Sequence, residues 1–561
     1  MTSKASIRPY INQAYLLGLL MVAVGLTLSP FLMGMSQFWL ALVWLVDGLA
    51  GKRDGNAVSC EGGVGEGGIC FRHDFQHKLS RFWHNKAAVL LVAFYLMHVV
   101  GLLWTSDFEY AMKDLRVKLP ILVMPFVMSS MPPLDRKRFD FVMLVYVLSV
   151  FIATLFSSVS YWRHDYEDVR EISRFISHIR FSLNIVFAMA VIGYYLFKKR
   201  VSRGNGVPAF GVKVAVNRFL MWFILLWFAY QIYIFESLSG YVILAVVVLV
   251  SAVYAFLRWR NNRSWRIAVA ALALSLAVTG CIVVWHEMKP LLKVEPVDFA
   301  TLEKKTAQGN DYWHDTIHNP VEDGKYVGLY YCRKELQEAW QKRSSLPLND
   351  SSGVMLEPTL ARYLTSKGLR KDAQGVMALT DVDIHNIEQG VANYNNWKHP
   401  GLRARLSSTL FEYGLYRKYN NPNGGSLSQR IEFTRASLHL IDQHPWFGVG
   451  TGDVPQAFSQ AYDEIHSPLK EEFRFRAHNQ YLAIAVAFGL VGLAFFLIVL
   501  FYPWFASRKN HTYLYLVFFC IMMLSMFPED TMETQAGATL FAFFMALLLF
   551  VKPQRSVDVN Q

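Results

Sequence analysis

The sequence predicts an all-α polytopic membrane protein with about twelve transmembrane helices. Hydrophobic residues make up 53% of the 561 residues and charged residues only 17%, which is typical of a membrane protein. Apolar runs of roughly 16 to 26 residues recur along the chain, long enough to cross a bilayer as helices. These observations exclude a single soluble domain, and the location of the basic residues then matters more than the net charge of +12.

Twelve spans follow from the apolar runs in order along the chain. We predict them near residues 12–29, 34–50, 87–104, 119–131, 139–159, 181–197, 219–235, 240–257, 267–285, 479–504, 512–527 and 536–551. The fourth is short and contains Pro120 and Pro125, so a kinked or re-entrant segment is the alternative there. If this segment does not cross the membrane, the predicted orientation of every later segment is inverted.

The basic residues of the connecting segments predict the orientation of these spans. If the N-terminus is cytoplasmic, the inward segments hold 25 Lys and Arg residues and the short outward loops hold 7. Outward basic residues lie at 113–118 and 163–180. This asymmetry follows the positive-inside rule. It predicts a multi-pass membrane protein with both termini in the cytoplasm.

Three parts follow from the spans. Residues 1–285 are predicted as an N-terminal bundle of about nine spans, 286–476 as a large, mostly helical loop domain on the outward side, and 477–561 as a C-terminal bundle of about three spans. In the loop domain, "YCRKELQEAWQKR" and "QRIEFTRASLHLI" have helical periodicity. The Gly-rich "SCEGGVGEGGIC" at 59–70 is predicted to be a flexible inward insertion without chemistry.

Three ionisable residues are expected on the outward side of the membrane. His478 precedes the tenth span, Arg180 begins the sixth, and Arg430 lies in the loop domain. A histidine can take a proton from a hydroxyl at neutral pH, and the planar donor fork of arginine suits a phosphate or diphosphate. Together they describe transfer from a phosphorylated carrier lipid to a hydroxyl acceptor, with the arginines stabilising the leaving diphosphate.

Ordinary structural roles are the alternatives. A histidine at a helix end is often an interfacial residue, and an arginine there often reaches towards lipid headgroups. Glu529, Asp530 and Glu533 in "PEDTMETQ" could orient a ligand or an arginine, although a short acidic loop is usually just solvated. Glu236 in "FESLSGY" is another polar residue on this side, and a role in the turn there explains it at least as well as a functional role.

Two motifs resemble the O-antigen ligase family. "QRIEFTRASLHLIDQHPWFGVGTGDVPQAF" and "AHNQYLAIAVAFGLVGLAFF" are similar to the family's motifs, with Arg430 before "HPWFGVGTGD" and His478 in "HNQYL". Gly448, Gly450 and Gly452 would allow positive φ or a close approach of the backbone to a ligand. The twelve-span layout and the large loop before the tenth span fit the family too.

The resemblance implies a GT-C-like, inverting and metal-independent glycosyltransferase of lipopolysaccharide biosynthesis. It would lie in the bacterial inner (cytoplasmic) membrane, with the large loop domain 286–476 in the periplasm. It would transfer glycan (O-antigen) from undecaprenyl diphosphate to a sugar hydroxyl of a lipid A core at the periplasmic face, with no cofactor, no metal and no nucleic-acid partner. His478 would be the general base, and Arg430 and Arg180 would bind the donor diphosphate. Gly450 and Asn479 are predicted substrate-binding residues from the same motifs. Arg174 or His178 could serve in place of Arg180.

Other functions stay open at this point. A polysaccharide polymerase or a protein O-oligosaccharyltransferase of the same superfamily would use the same carrier chemistry. A transporter of lipid-linked glycan would instead place charges at mid-membrane, and the predicted spans hold almost none.

The family often carries Ser-Arg-Gly between the seventh and eighth spans, where this chain has "SLSGY". Loop-domain aromatics could stack on sugars or form a core, namely Tyr312, Trp313, Trp340 and Trp397.

Overall fold

The computed structural model describes most of the chain, namely residues 8–49, 71–163, 172–173, 175–197, 207–209, 212–214, 217–235, 237–258, 263–349, 356–506 and 512–551. These residues are predominantly helical, with two short antiparallel two-stranded sheets. The Gly-rich segment 59–70, Arg174 and Glu236 lie outside the described residues, so the predictions made for them stay predictions.

The first half of the chain supplies ten helices and one sheet. They are α1 (Arg8–Leu28), α2 (Pro30–Leu49), α3 (Phe71–His84), α4 (Lys86–Val100), α5 (Phe108–Ser130), α6 (Arg136–Arg163), α7 (His178–Phe197), β1 (Val207–Ala209), β2 (Val212–Val214), α8 (Arg218–Ile234), α9 (Leu238–Arg258) and α10 (Arg263–Leu292). Each of the nine spans predicted here coincides with one of these helices. The remaining helix, α3, has a polar composition and precedes α4.

The second half supplies the other helices and the second sheet. They are β3 (Val321–Glu322), β4 (Lys325–Tyr326), α11 (Arg333–Gln341), α12 (Leu356–Ser366), α13 (Ala373–Met377), α14 (Asp381–Glu388), α15 (Tyr394–Lys398), α16 (Leu402–Tyr419), α17 (Ser426–Gln443), α18 (Val454–Glu464), α19 (Gln480–Ala506), α20 (Tyr513–Ser525) and α21 (Gln535–Ala546). The helices predicted in "YCRKELQEAWQKR" and "QRIEFTRASLHLI" are confirmed as α11 and α17.

Eight of these helices have the length and composition of membrane spans: α1, α2, α4, α6, α7, α9, α10 and α19. The last two predicted spans and the seventh coincide with the shorter apolar helices α20, α21 and α8. The structure therefore supports an integral membrane protein, and the count of twelve crossings stays a prediction.

The helix α5 differs from the sequence-based expectation. Residues 113–118, predicted as part of an outward loop, are its second and third turns, and Asp107 begins it by accepting a hydrogen bond from the amide of Tyr110. Lys118 is buried and pairs with Asp114 one turn earlier. Charged residues in sequence suggested a loop, but pairing allows this lysine to lie inside a packed helix.

Separate apolar clusters form the cores of the described chain. The largest joins the bundle helices, including α1, α5, α6, α7, α20 and α21. A second cluster lies within α11, α12 and α14 of the loop domain, around the fully buried Trp340. A third joins α17, α18 and the first half of α19. The last of these clusters connects the loop domain to a membrane helix.

The helix α19 is broken at Gly489, where φ is 66° and ψ is −170°. The segment that follows α17 fills the break. The amides of Val449 and Gly450 donate to the carbonyls of Val486 and Ala487, and the amide of Leu490 donates to the carbonyl of Pro445. Backbone groups that the break would leave unpaired are thereby satisfied, as a membrane helix requires.

Two glycines make this contact possible. A Cβ on Gly489 would lie 2.2 Å from the backbone carbon of Trp446, and a Cβ on Gly448 would lie 2.4 Å from the backbone of Ala487 and Phe488. Gly448 has a positive φ of 67° and Gly450 one of 95°, which confirms the positive φ expected for both. The close approach is to another backbone segment of the same chain.

Candidate active site

The three predicted site residues converge on one carboxylate, that of Glu529. Arg430 Nη2 donates to Glu529 Oε1 over 2.9 Å, and His478 Nδ1 lies 3.8 Å from Glu529 Oε2. Arg180 is close enough to act electrostatically on the same carboxylate. Residues from four distant parts of the sequence thus meet where the N-terminal ends of α7, α17 and α19 face the segment between α20 and α21.

These basic groups keep unused hydrogen-bonding capacity. Among the residues that the structure describes, Arg180 Nε, Arg430 Nε and His478 Nδ1 are buried atoms without a hydrogen-bond partner. The side chain of Arg430 is 34% exposed and that of His478 is 33% exposed, so the cluster is partly open. The two unpaired guanidinium nitrogens, Arg180 Nε and Arg430 Nε, are cationic donors beside a partly open site and favour an anionic ligand.

His478 is held in an uncommon backbone conformation. Its φ is 44°, in the left-handed region that few residues other than glycine adopt. Its ring stacks on Phe433, one turn beyond Arg430 on α17, with centroids 5.3 Å apart, and meets Phe475 edge-on. Such conformations persist where the surroundings fix them, and they concentrate at functional sites.

The pKa of the Glu529 carboxyl reflects the neighbouring basic groups. Burial alone would raise the pKa of its carboxyl. His478, Arg430 and Arg180 outweigh burial and hold the pKa below its usual value. Glu529 is therefore ionised at neutral pH although its side chain is only 9% exposed. The solvated acidic loop considered as an alternative does not apply to this residue.

A second ion cluster adjoins the first. Arg476 Nη2 lies 3.6 Å from Asp530 Oδ2, and Arg476 Nη1 lies 3.4 Å from Glu533 Oε2, which also accepts a hydrogen bond from Lys118. Burial raises the pKa of Asp530 despite the nearby Arg476. For Glu533, the positive charges of Lys118 and Arg476 outweigh burial and lower the pKa.

A group of possible metal ligands lies at the same place. The ligand atoms of His478, Glu529 and Asp530 all lie within 4.8 Å of one another, an arrangement that could hold a metal ion. The sequence did not show this because His478 is about 50 residues away from the two carboxylates. Both carboxylates already pair with arginines, Arg430 and Arg476. Metal independence stays a prediction.

The two further predicted substrate-binding residues make contacts within the protein. Asn479 caps α19, since its Oδ1 accepts from the amide of Leu482 and its Nδ2 donates to the carbonyl of Phe527. A Cβ on Gly450 would lie 2.8 Å from Thr105 Oγ1. Their binding of substrate stays a prediction, and the structure gives each a packing role.

The loop-domain aromatics divide into two groups. Trp340 is fully buried and donates its indole N–H to the carbonyl of Leu346, and Tyr312 is buried too, so both are core residues. Trp313 and Trp397 are exposed. Only these two of the four could stack on a sugar.

Comparison with known proteins is consistent with the motif resemblance. Residues 384–497 match the family model described as O-antigen ligase. The matched stretch contains Arg430, His478 and the segment that fills the break in α19, whereas Arg180 and Glu529 lie outside it. No curated protein matches the chain. Residues 384–497 are thus similar to the O-antigen ligase family, and the apolar helices support an integral membrane protein.

Proposed function

We propose that this protein is a glycosyltransferase of the periplasmic face of the inner membrane. It transfers a glycan from undecaprenyl diphosphate to a sugar hydroxyl of a lipid A core. The observation that carries the proposal is the convergence of Arg180, Arg430 and His478 on Glu529, with unpaired buried nitrogen atoms on all three. The match to the O-antigen ligase family model supports the same class of enzyme.

Arg180 and Arg430 bind the donor diphosphate in this proposal. Both lie near the N-terminal ends of helices, α7 and α17, where the helix dipole adds positive potential. The unpaired Nε atoms give each guanidinium a free donor for a phosphate oxygen. As the glycosidic C–O bond breaks, the leaving diphosphate gains charge, and the two arginines stabilise it.

His478 activates the acceptor. Its Nδ1 faces Glu529, which orients the ring and stabilises the imidazolium, so Nε2 is the atom that accepts the proton of the acceptor hydroxyl. The hydroxyl oxygen attacks the anomeric carbon, and the carrier diphosphate leaves with the electron pair of the broken bond. Attack opposite to the leaving group inverts the anomeric centre.

The first test is transfer by purified protein in the presence of a chelator, with undecaprenyl diphosphate glycan as donor and lipid A core as acceptor. We expect the wild type to be active. His478→Ala should lower the turnover number by roughly 10²-fold or more, which is the usual contribution of a general base. Arg430→Ala should raise the donor KM because it removes a charged hydrogen bond to the diphosphate.

Matched controls are available on the loop domain. His385→Ala and Arg417→Ala remove exposed side chains of α14 and α16, and both should leave transfer unchanged. A correctly folded His478→Ala variant with wild-type activity would refute the mechanism. If the wild type lengthens the donor glycan and ignores the core, it is a polymerase, and loss of activity with chelator would indicate a metal at His478, Glu529 and Asp530.

A further inference from the structure

The carboxylate of Glu533 connects both sides of the His478 segment. Its Oε2 accepts from Lys118 Nζ over 2.7 Å and lies 3.4 Å from Arg476 Nη1, while its Oε1 accepts from Gln480 Nε2 over 3.0 Å. Arg476 and Gln480 are the residues two positions before and two positions after His478. One buried carboxylate thus contacts the side chains of residues on both flanks of the candidate base.

The same short segment is attached to the chain between α20 and α21 by further bonds. The amide of Gln480 donates to the carbonyl of Met526, and Gln480 Oε1 accepts from the amide of Met532. This second segment also carries Glu529, the partner of His478. Bonds to Glu533 and Gln480 therefore fix the base and its carboxylate partner relative to each other.

Lys118 anchors this arrangement to the bundle. It lies in the interior of α5, its side chain is 3% exposed, and it pairs with both Asp114 and Glu533. A buried lysine of this kind is costly unless it is paired. Within the part of the chain that the structure describes, Lys118 ties the loop between α20 and α21 to a bundle helix through an ion pair.

We propose that Glu533, anchored by Lys118, is a positioning residue for His478. It holds the left-handed backbone of His478, with φ at 44°, so that the ring faces Glu529 at 3.8 Å. Glu533 does not touch the substrate in this scheme, and it acts through Arg476 and Gln480. The inference deepens the transfer mechanism and its kinetic part rests on the proposed function.

The test compares wild type with Glu533→Gln, which keeps the shape of the side chain and removes its charge. The turnover number should fall at least tenfold, while the donor KM should stay within twofold, because Arg180 and Arg430 are unchanged. Hydrogen exchange of the peptide amides at 477–482 should become at least tenfold faster. Glu472→Gln, in the segment between α18 and α19 that leads to His478 and with its side chain 64% exposed, is the matched control and should change none of these quantities.

The two measurements separate the possible failures. If the wild type shows no transfer, the proposed function fails, and hydrogen exchange still decides the positioning role. Unchanged exchange at 477–482 in a folded Glu533→Gln variant would overturn the inference. So would a raised donor KM with an unchanged turnover number, because Glu533 would then act on the substrate. If Glu533→Gln does not fold, Lys118→Arg, which keeps the charge and changes the geometry, replaces it, with smaller changes expected in the same directions.

Discussion

Glu529 is the residue on which three positive or potentially positive side chains converge. Its carboxylate forms an ion pair with Arg430, and a bound diphosphate would compete with the carboxylate for that arginine. It also faces His478 and would stabilise the imidazolium after proton transfer. The first role weakens binding of the donor, and the second accelerates the chemical step. Measurements of donor KM and turnover number can therefore separate them.

Replacing Glu529 by Gln should therefore lower the donor KM and lower the turnover number together. Loss of the competing charge strengthens diphosphate binding to Arg430, whereas the imidazolium of His478 loses its stabilising partner. We expect the turnover number to fall roughly tenfold or more, within the range attributed to acid–base catalysis. Steady-state kinetics over a range of donor concentrations check this. A raised donor KM would instead make Glu529 a donor-binding group.

The sequence predicts the basic residues of the candidate site and leaves the role of the acidic ones open. His478, Arg430 and Arg180 could be placed on one side because spans and charges determine topology. Glu529 and Glu533 could not be distinguished from a solvated loop, since their burial depends on packing between segments far apart in sequence. Lys118 was placed in a loop for the same reason, because its partner Glu533 is 415 residues away.

At the scale of single elements, the break in α19 is the feature with the clearest physical cause. Hydropathy predicts a continuous span at 479–504, and it detects neither the positive φ of Gly489 nor the backbone segment that fills the break. The glycines of the "HPWFGVG" motif predicted unusual backbone conformations correctly. Their partner could not be identified from the sequence, because backbone hydrogen bonds leave no pattern of side chains.

Gly489→Ala should destabilise the protein strongly. A Cβ there lies 2.2 Å from the backbone of Trp446 and requires a left-handed conformation, which alone costs about 1–3 kcal/mol. Thermal unfolding in detergent, followed by tryptophan fluorescence, measures the loss. Gly193→Ala is the matched control, because Gly193 lies in α7 with no atom within 4 Å of the added Cβ and should be neutral or slightly stabilising. Equal melting temperatures for the two variants would contradict this account.

On the scale of the whole molecule, ion pairs join parts of the chain that are distant in sequence. Glu529 links the segment before α21 to α17, and Glu533 links the same segment to α5 and to the start of α19. The helices themselves follow from apolar periodicity and were predicted well. Their mutual arrangement around the site depends on these buried pairs.

Acid should weaken these connections. The pKa values of Glu529 and Glu533 are both lowered in the folded protein, so their stabilising contribution is present above the usual carboxyl pKa and is lost as the pH falls through the lowered values. The melting temperature in detergent should therefore fall as the pH is lowered from 7 towards 3. Glu533→Gln should melt lower at pH 7 and show a smaller dependence on pH. A pH dependence identical to that of the wild type would exclude Glu533 as a contributor.

The backbone contact between residues 445–450 and the break in α19 limits which segments of this protein can be exchanged for those of a related protein. A helix whose missing hydrogen bonds are supplied by another stretch of chain cannot be exchanged without that stretch. In a chimaera, α17, the connecting segment and α19 would have to come from one parent. The separate core around Trp340 in α11, α12 and α14 is free of this constraint, so that module could be replaced or enlarged while the transfer site is preserved.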